Sequence, residues 1–163
     1  MTDENGLDTF INVSLKYSEL NAIKYEADRD RISLEVVLKD LISYERQEQF
    51  ISKIKSCLLS FYKLAHLAPK FVDFNFDEKA GITFFRIYRD MSSLSEGEIN
   101  LCIVLLNEEF ADLLLTDDSS IIAEESFKKQ VKNDLLQKVH KNDIYTNSFF
   151  ACRDKGRVFV FNE

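Results

Sequence analysis

The chain is short of most things that mark a specialised class of protein. Proline occurs once and glycine four times in 163 residues. That leaves no linker composition, no low-complexity tract and no glycine-rich loop able to cradle phosphates. No apolar run approaches the roughly 18 residues needed to span a bilayer. Residues 1–8 are acidic and polar, which fits neither a signal peptide nor a basic transit segment. Three cysteines, Cys57, Cys102 and Cys152, are odd in number, far apart and set among apolar residues. Without a CxxC pair or a histidine partner in sequence they signal neither a disulfide framework nor zinc, and they read as reduced, buried thiols of a cytoplasmic protein. Positive charge is in deficit too. A net charge of −7 argues against general affinity for nucleic acid or an anionic membrane.

What is present is the inventory of one globular domain. Hydrophobic residues make up 45% and charged residues 30%, enough apolar material at this length to bury a core without staples. The reading is a flexible terminus over 1–8 and a single α+β domain over 9–163.

The clearest period lies in residues 44–67, where Phe50, Ile54, Cys57, Phe61 and Ala65 recur at helical spacing and Ile51, Leu58 and Tyr62 widen the stripe. Ser43 is the expected N-cap, and Pro69 forbids continuation. Strands are expected at 10–17, 22–27 and 32–38 before this helix. Further strands are expected at 71–76, 82–89 and 99–106 after it, with a hairpin turn at 77–81 in which Gly81 takes a positive φ. The pairs Glu124–Lys128, Glu125–Lys129 and Asp134–Lys138 support a second helix over 119–140. Strands at 145–152 and 158–161 close the chain as a hairpin. The order is strand-strand-strand-helix twice, two degenerate units plus a C-terminal hairpin. An antiparallel sheet with two main helices packed on it follows. The segment 32–38 sets its apolar residues in the same places as 99–105, which either a duplication or the Ile, Leu and Val content common to any two buried strands would explain, the latter slightly better.

Few patterns carry chemistry. His66 and His140 each stand at the expected C-terminal end of a helix, where the dipole favours an imidazolium, and that accounts for them without catalysis. The acidic stretch Glu108, Glu109, Asp112, Asp117 and Asp118 could assemble a hard-cation site, but its spacing fits no EF-hand loop. Cys152, beside Arg153, is the one thiol worth testing as a nucleophile. No metal and no cofactor is indicated. Phe84, Arg86 and Tyr88 share one face of a strand and could stack on bases. Ile82 takes the place of the first aromatic such strands carry, and the charge is wrong, so packing explains the trio better.

The positive inference concerns aromatic surface. Phe71, Phe74, Phe76, Phe84, Arg86 and Tyr88 are taken as an interaction surface, because helices cover one face of a sheet and this hairpin carries apolar residues on both. The expected function is a non-enzymatic cytoplasmic protein–protein interaction domain, adaptor-like or chaperone-like, binding a protein partner or itself as a homodimer. The alternative is a small-molecule site in an apolar pocket between sheet and helices. A third reading is a metal-dependent enzyme using the acidic stretch.

Overall fold

A computed structural model describes residues 4–116, 148–154 and 157–162. The elements run in the order α1 (Glu4–Lys16), β1 (Ala22–Glu26), a 3₁₀ turn (Ala27–Arg29), β2 (Arg31–Leu38), α2 (Tyr44–Ala65), β3 (Val72–Lys79) and β4 (Ile82–Asp90). A second 3₁₀ turn (Met91–Ser93), α3 (Glu96–Phe110), β5 (Ser148–Asp154) and β6 (Arg157–Asn162) follow. The strands form one antiparallel sheet in the order β3-β4-β2-β1-β5-β6. The fold is α+β, an antiparallel sheet with helices on it, as the composition of elements implied.

Helix α2 forms where its period places it. The Ser43 hydroxyl accepts from the Arg46 N–H at 3.3 Å, and the helix ends at His66, whose left-handed φ of 55° closes the last turn back onto Tyr62. Its buried stripe is Phe50, Ile54, Leu58 and Tyr62, one position round from the expected centre of Phe61 and Ala65. The β3–β4 hairpin turns on Ala80 and Gly81, both at positive φ (55° and 82°), the geometry that matches the right-handed twist of flanking strands.

Two expected strands are helices. Residues 10–16 belong to α1, with Asn12 and Lys16 exposed, four apart on one edge, and Tyr17 follows the helix end. Phe10, Ile11, Val13, Leu15 and Tyr17 are all buried, so the alternation that suggested a strand came from a helix covered on nearly every side. Ser14 sits inside this helix with its hydroxyl bonded to the Phe10 carbonyl at 2.7 Å. The helix starts at Glu4, inside the terminal stretch expected to be flexible. Residues 99–106 lie within α3, whose Ile99, Cys102, Ile103, Leu106 and Phe110 are buried at helical spacing. A continuous apolar run fits a buried helix as well as a buried strand. The segments 32–38 and 99–105 therefore match in sequence but not in structure, one strand and one helix, and the strand-strand-strand-helix repeat is not the chain's order. The expected helix at 119–140 falls outside the described residues.

Among the described residues the core lies between one sheet face and helices α1, α2 and α3. Phe50 meets Phe85 at 5.4 Å, Phe110 at 5.0 Å and Phe76 at 6.3 Å between ring centroids, joining α2, β4, α3 and β3. At the other end Phe10 of α1 meets Tyr25 of β1 and Phe149 of β5, each at 6.0 Å. Burial of each such ring stabilises by about 1.5–3 kcal/mol.

Candidate functional site

The strand registers fix which side chains share a face. One row across the sheet reads Phe74, Ile87, Leu34, Ile23, Ala151, Val160, and it lies under the helices. The next reads Asp73, Tyr88, Ser33, Lys24, Phe150, Phe161, and it points the other way, as does the row Asn75, Arg86, Glu35, Ala22, Cys152, Phe159. No described helix lies over this second face. It changes character from edge to edge: acidic along β3, ionic and mixed in the middle, aromatic along β5 and β6.

In the middle is a depression of about 370 Å³ lined by Ala22, Lys24, Glu26, Arg29, Arg31, Ser33, Glu35, Arg86, Tyr88 and Phe150. It exists because the two strand positions beneath it, Ala22 and Ser33, carry the smallest side chains there. The walls are organised by ionic and ring contacts. Arg31 lies 5.0 Å over the Tyr88 ring, and Arg86 lies 5.4 Å over Phe84. Arg86 also donates from Nε to Glu35 at 2.8 Å and from Nη1 to Asp77 at 3.3 Å. Glu35 accepts further from the Asn21 amide at 3.1 Å. Burial works against the Arg86 charge, but its bonds to Glu35 and Asp77 prevail and hold it protonated above its ordinary range. Lys24 stands 3.7 Å from Glu26.

The structure divides the six residues expected to act as one surface. Phe84, Arg86 and Tyr88 are together on the uncovered face, half-buried and adjacent to the depression. Phe74 and Phe76 lie on the helix side, Phe74 stacked on Phe85 at 6.1 Å and Phe76 at 4.7 Å from it. Phe71 precedes β3 and is partly exposed. Lys24, Arg29, Arg31, Ser33 and Phe150 were not anticipated, because only the register brings three strands and a turn together there.

A second polar constellation was also missed, and it is structural. Arg89, Asp90 and Glu98 are each no more than 1% exposed. Arg89 donates to both oxygens of Glu98, at 2.6 and 2.9 Å, while the Tyr62 hydroxyl donates to Glu98 at 2.8 Å. Arg89 also donates to Asp90, to the Ser93 hydroxyl and to the Ser93 carbonyl. Burial alone would raise the Asp90 carboxyl, but the Ser93 hydroxyl and the Arg89 charge outweigh it and hold it below the usual carboxylate range. The same surroundings, desolvation first and the Glu98 charge second, push the Tyr62 hydroxyl upward. This network ties β4 to α2 and to the start of α3, with the charged groups of Arg89, Asp90 and Glu98 buried and Ser93 at its partly exposed edge. Ser95 caps that helix by accepting from the Glu98 N–H at 3.3 Å, so Ser95 and Glu98 have the spacing of a capping box while the Glu98 carboxylate turns inward to Arg89.

The remaining candidates take simple places. His66 is the exposed C-cap of α2, and His140 is outside the described residues. Burial, followed by the Glu98 charge, pushes the Cys102 thiol up to about 12, so it stays protonated and unreactive. Cys152 sits half-buried on the uncovered face. Glu109 pairs with Arg46 at 3.0 Å and Glu108 with Lys53 at 3.7 Å, and among the described residues no group of acidic, histidine or cysteine side chains is arranged to hold a metal. Asp117 and Asp118 are not described. Among the described residues no helix is long and apolar enough to cross a membrane. The chain matches no family model, no curated protein and no solved structure.

Proposed function

We propose that this chain is a non-enzymatic protein-binding domain whose working surface is the uncovered face of its sheet. The observation that carries the reading is one sheet face with Arg31 on Tyr88 and Arg86 on Phe84 at one side of the depression and Phe150, Phe159 and Phe161 at the other, left open by the described helices. Phe159 and Phe161 are 42% and 50% exposed. Arginine and aromatic side chains are enriched at the energetic centres of protein interfaces: rings offer large contact area with few rotatable bonds, and the guanidinium adds a planar fork of hydrogen-bond donors that also stacks on rings. Strand positions hold them in fixed geometry before a partner arrives, which lowers the ordering cost of binding. The partner is another protein or a second copy of this chain. Three thiols suit a reducing compartment, so we place the protein in the cytoplasm.

A second reading, a small-molecule site, now attaches to the depression and not to the space between sheet and helices, where Phe50, Phe76, Phe85 and Phe110 interlock. Native mass spectrometry of protein purified gently from its source separates the two. A bound protein chain or a dimer that is lost in the Phe84→Asp variant is the expected result. An added mass of a few hundred daltons favours the ligand, and a bare monomer removes the protein-binding reading.

A further inference from the structure

We infer that the uncovered face receives an acidic protein segment, its carboxylates on Arg29, Arg31 and Lys24 and an apolar side chain seated over Ala22 and Ser33. This rests on the protein-binding reading and specifies the partner's chemistry. Four cations and two carboxylates line the depression, a local surplus of positive charge on a chain of net charge −7. Arg86 is committed to Glu35 and Asp77, and Lys24 leans on Glu26. Arg29 and Arg31 meet no carboxylate among the described residues. They stand two positions apart, at the end of the 3₁₀ turn and the start of β2, with Arg31 laid on Tyr88. An approaching acidic segment is repelled by the net charge of the chain and attracted by the surplus of cations at the depression, which favours one orientation.

The shape of the surface favours a peptide over a small anion or a nucleic acid. From the depression the apolar surface continues over Phe150 to Phe161 on the edge strand, whose rings lie 6.4 Å apart. Three strands at about 4.8 Å spacing make a track of roughly 10 Å leading away from the cations. A single anion would use only the basic end. A nucleic acid needs a run of phosphate contacts, whereas the other side of the depression is bordered by Asp73 and Asp77.

The test uses a labelled synthetic peptide of about a dozen residues, rich in Glu with one central Phe, and a counterpart with Lys in place of Glu. Fluorescence anisotropy with the full chain should show binding of the Glu peptide alone. The Arg29→Glu/Arg31→Glu double variant should bind about 10-fold or more weakly, as should protein in about 0.5 M salt. Ser33→Phe, which fills the depression, should lose binding while keeping the wild-type thermal midpoint. Unchanged affinity in the double variant overturns the site. Binding of the Lys peptide, or of neither peptide, overturns the acidic assignment. The protein-binding reading survives that result if native mass spectrometry still finds a partner chain, and falls with it if none is found. Inorganic phosphate that shifts the amide resonances of Arg29 and Arg31 and abolishes peptide binding would make the ligand a small anion, against the proposal.

Discussion

Two rows of the same sheet, one residue out of step, have opposite fates. Phe74, Ile87, Leu34, Ile23 and Ala151 are buried under the helices, and their neighbours Asp73, Tyr88, Ser33, Lys24 and Phe150 face away from them. The inner row is uniformly apolar, so its interactions depend on volume and shape and few substitutions improve it. The outer row mixes acid, ring, hydroxyl and amine, a composition that serves recognition better than cohesion. A period of two therefore lets one set of strands carry an apolar core face and a mixed, polar and aromatic outer face without compromise between them.

The sharpest way to break that comparison is one substitution on each side of the β3–β4 hairpin. Phe74→Asp places a carboxylate between Phe85 and the helices. It should cost more than about 4 kcal/mol and leave the chain unfolded at ambient temperature. Phe84→Asp, on the other face, should change stability by less than about 1 kcal/mol. Circular dichroism during chemical denaturation measures both, and comparable losses would mean that Phe84 is packed into the fold as firmly as Phe74.

The buried network permits a second comparison, charge under the helices against charge outside them. Glu98→Gln removes the charge that balances Arg89 in a site no more than 1% exposed and should cost about 3 kcal/mol by urea denaturation. Glu35→Gln beside Arg86, partly open to water, should cost under about 1 kcal/mol. Equal effects would mean that water reaches the Arg89 site.

The smallest expected effect is in acid. Asp90's folded carboxyl titrates below its unfolded value of about 3.9. The folded state therefore binds its proton later, and the stability this group supplies is complete above the unfolded value and is lost as pH falls through the folded one. Asp90→Asn, although less stable at neutral pH, should lose less further stability than the wild type between pH 5 and pH 2. Parallel declines would remove Asp90 as a source of acid sensitivity.

How much of this was legible depended on whether an element has a polar side. Helix α2 has one, and its span, cap and end were all readable. The β3–β4 hairpin announced itself by alternation around Gly81. Helices α1 and α3 bury most of their circumference, so their periodicity collapsed into apparent strands. For α3 the Ser95 and Glu98 spacing was the available signal for a helix start. Phe84, Arg86 and Tyr88 shared a face by simple parity. Nothing in the order of residues places Lys24, Ser33 and Tyr88 side by side, since that needs the pairing of β1 with β2 and of β2 with β4. Arg89 and Glu98, nine positions apart across a turn, belong to no period at all.

The depression owes its existence to what Ala22 and Ser33 do not carry. A floor set by backbone and by two small side chains stays low whatever rotamers the surrounding arginine, lysine and aromatic side chains adopt. It can also be reshaped one methyl at a time, because Ser33 faces away from the helices and a larger residue there would displace nothing in the interior. The shape of the hollow and the fold can then change independently: its floor can be recut while Ile23, Leu34 and Ile87 beneath it stay as they are.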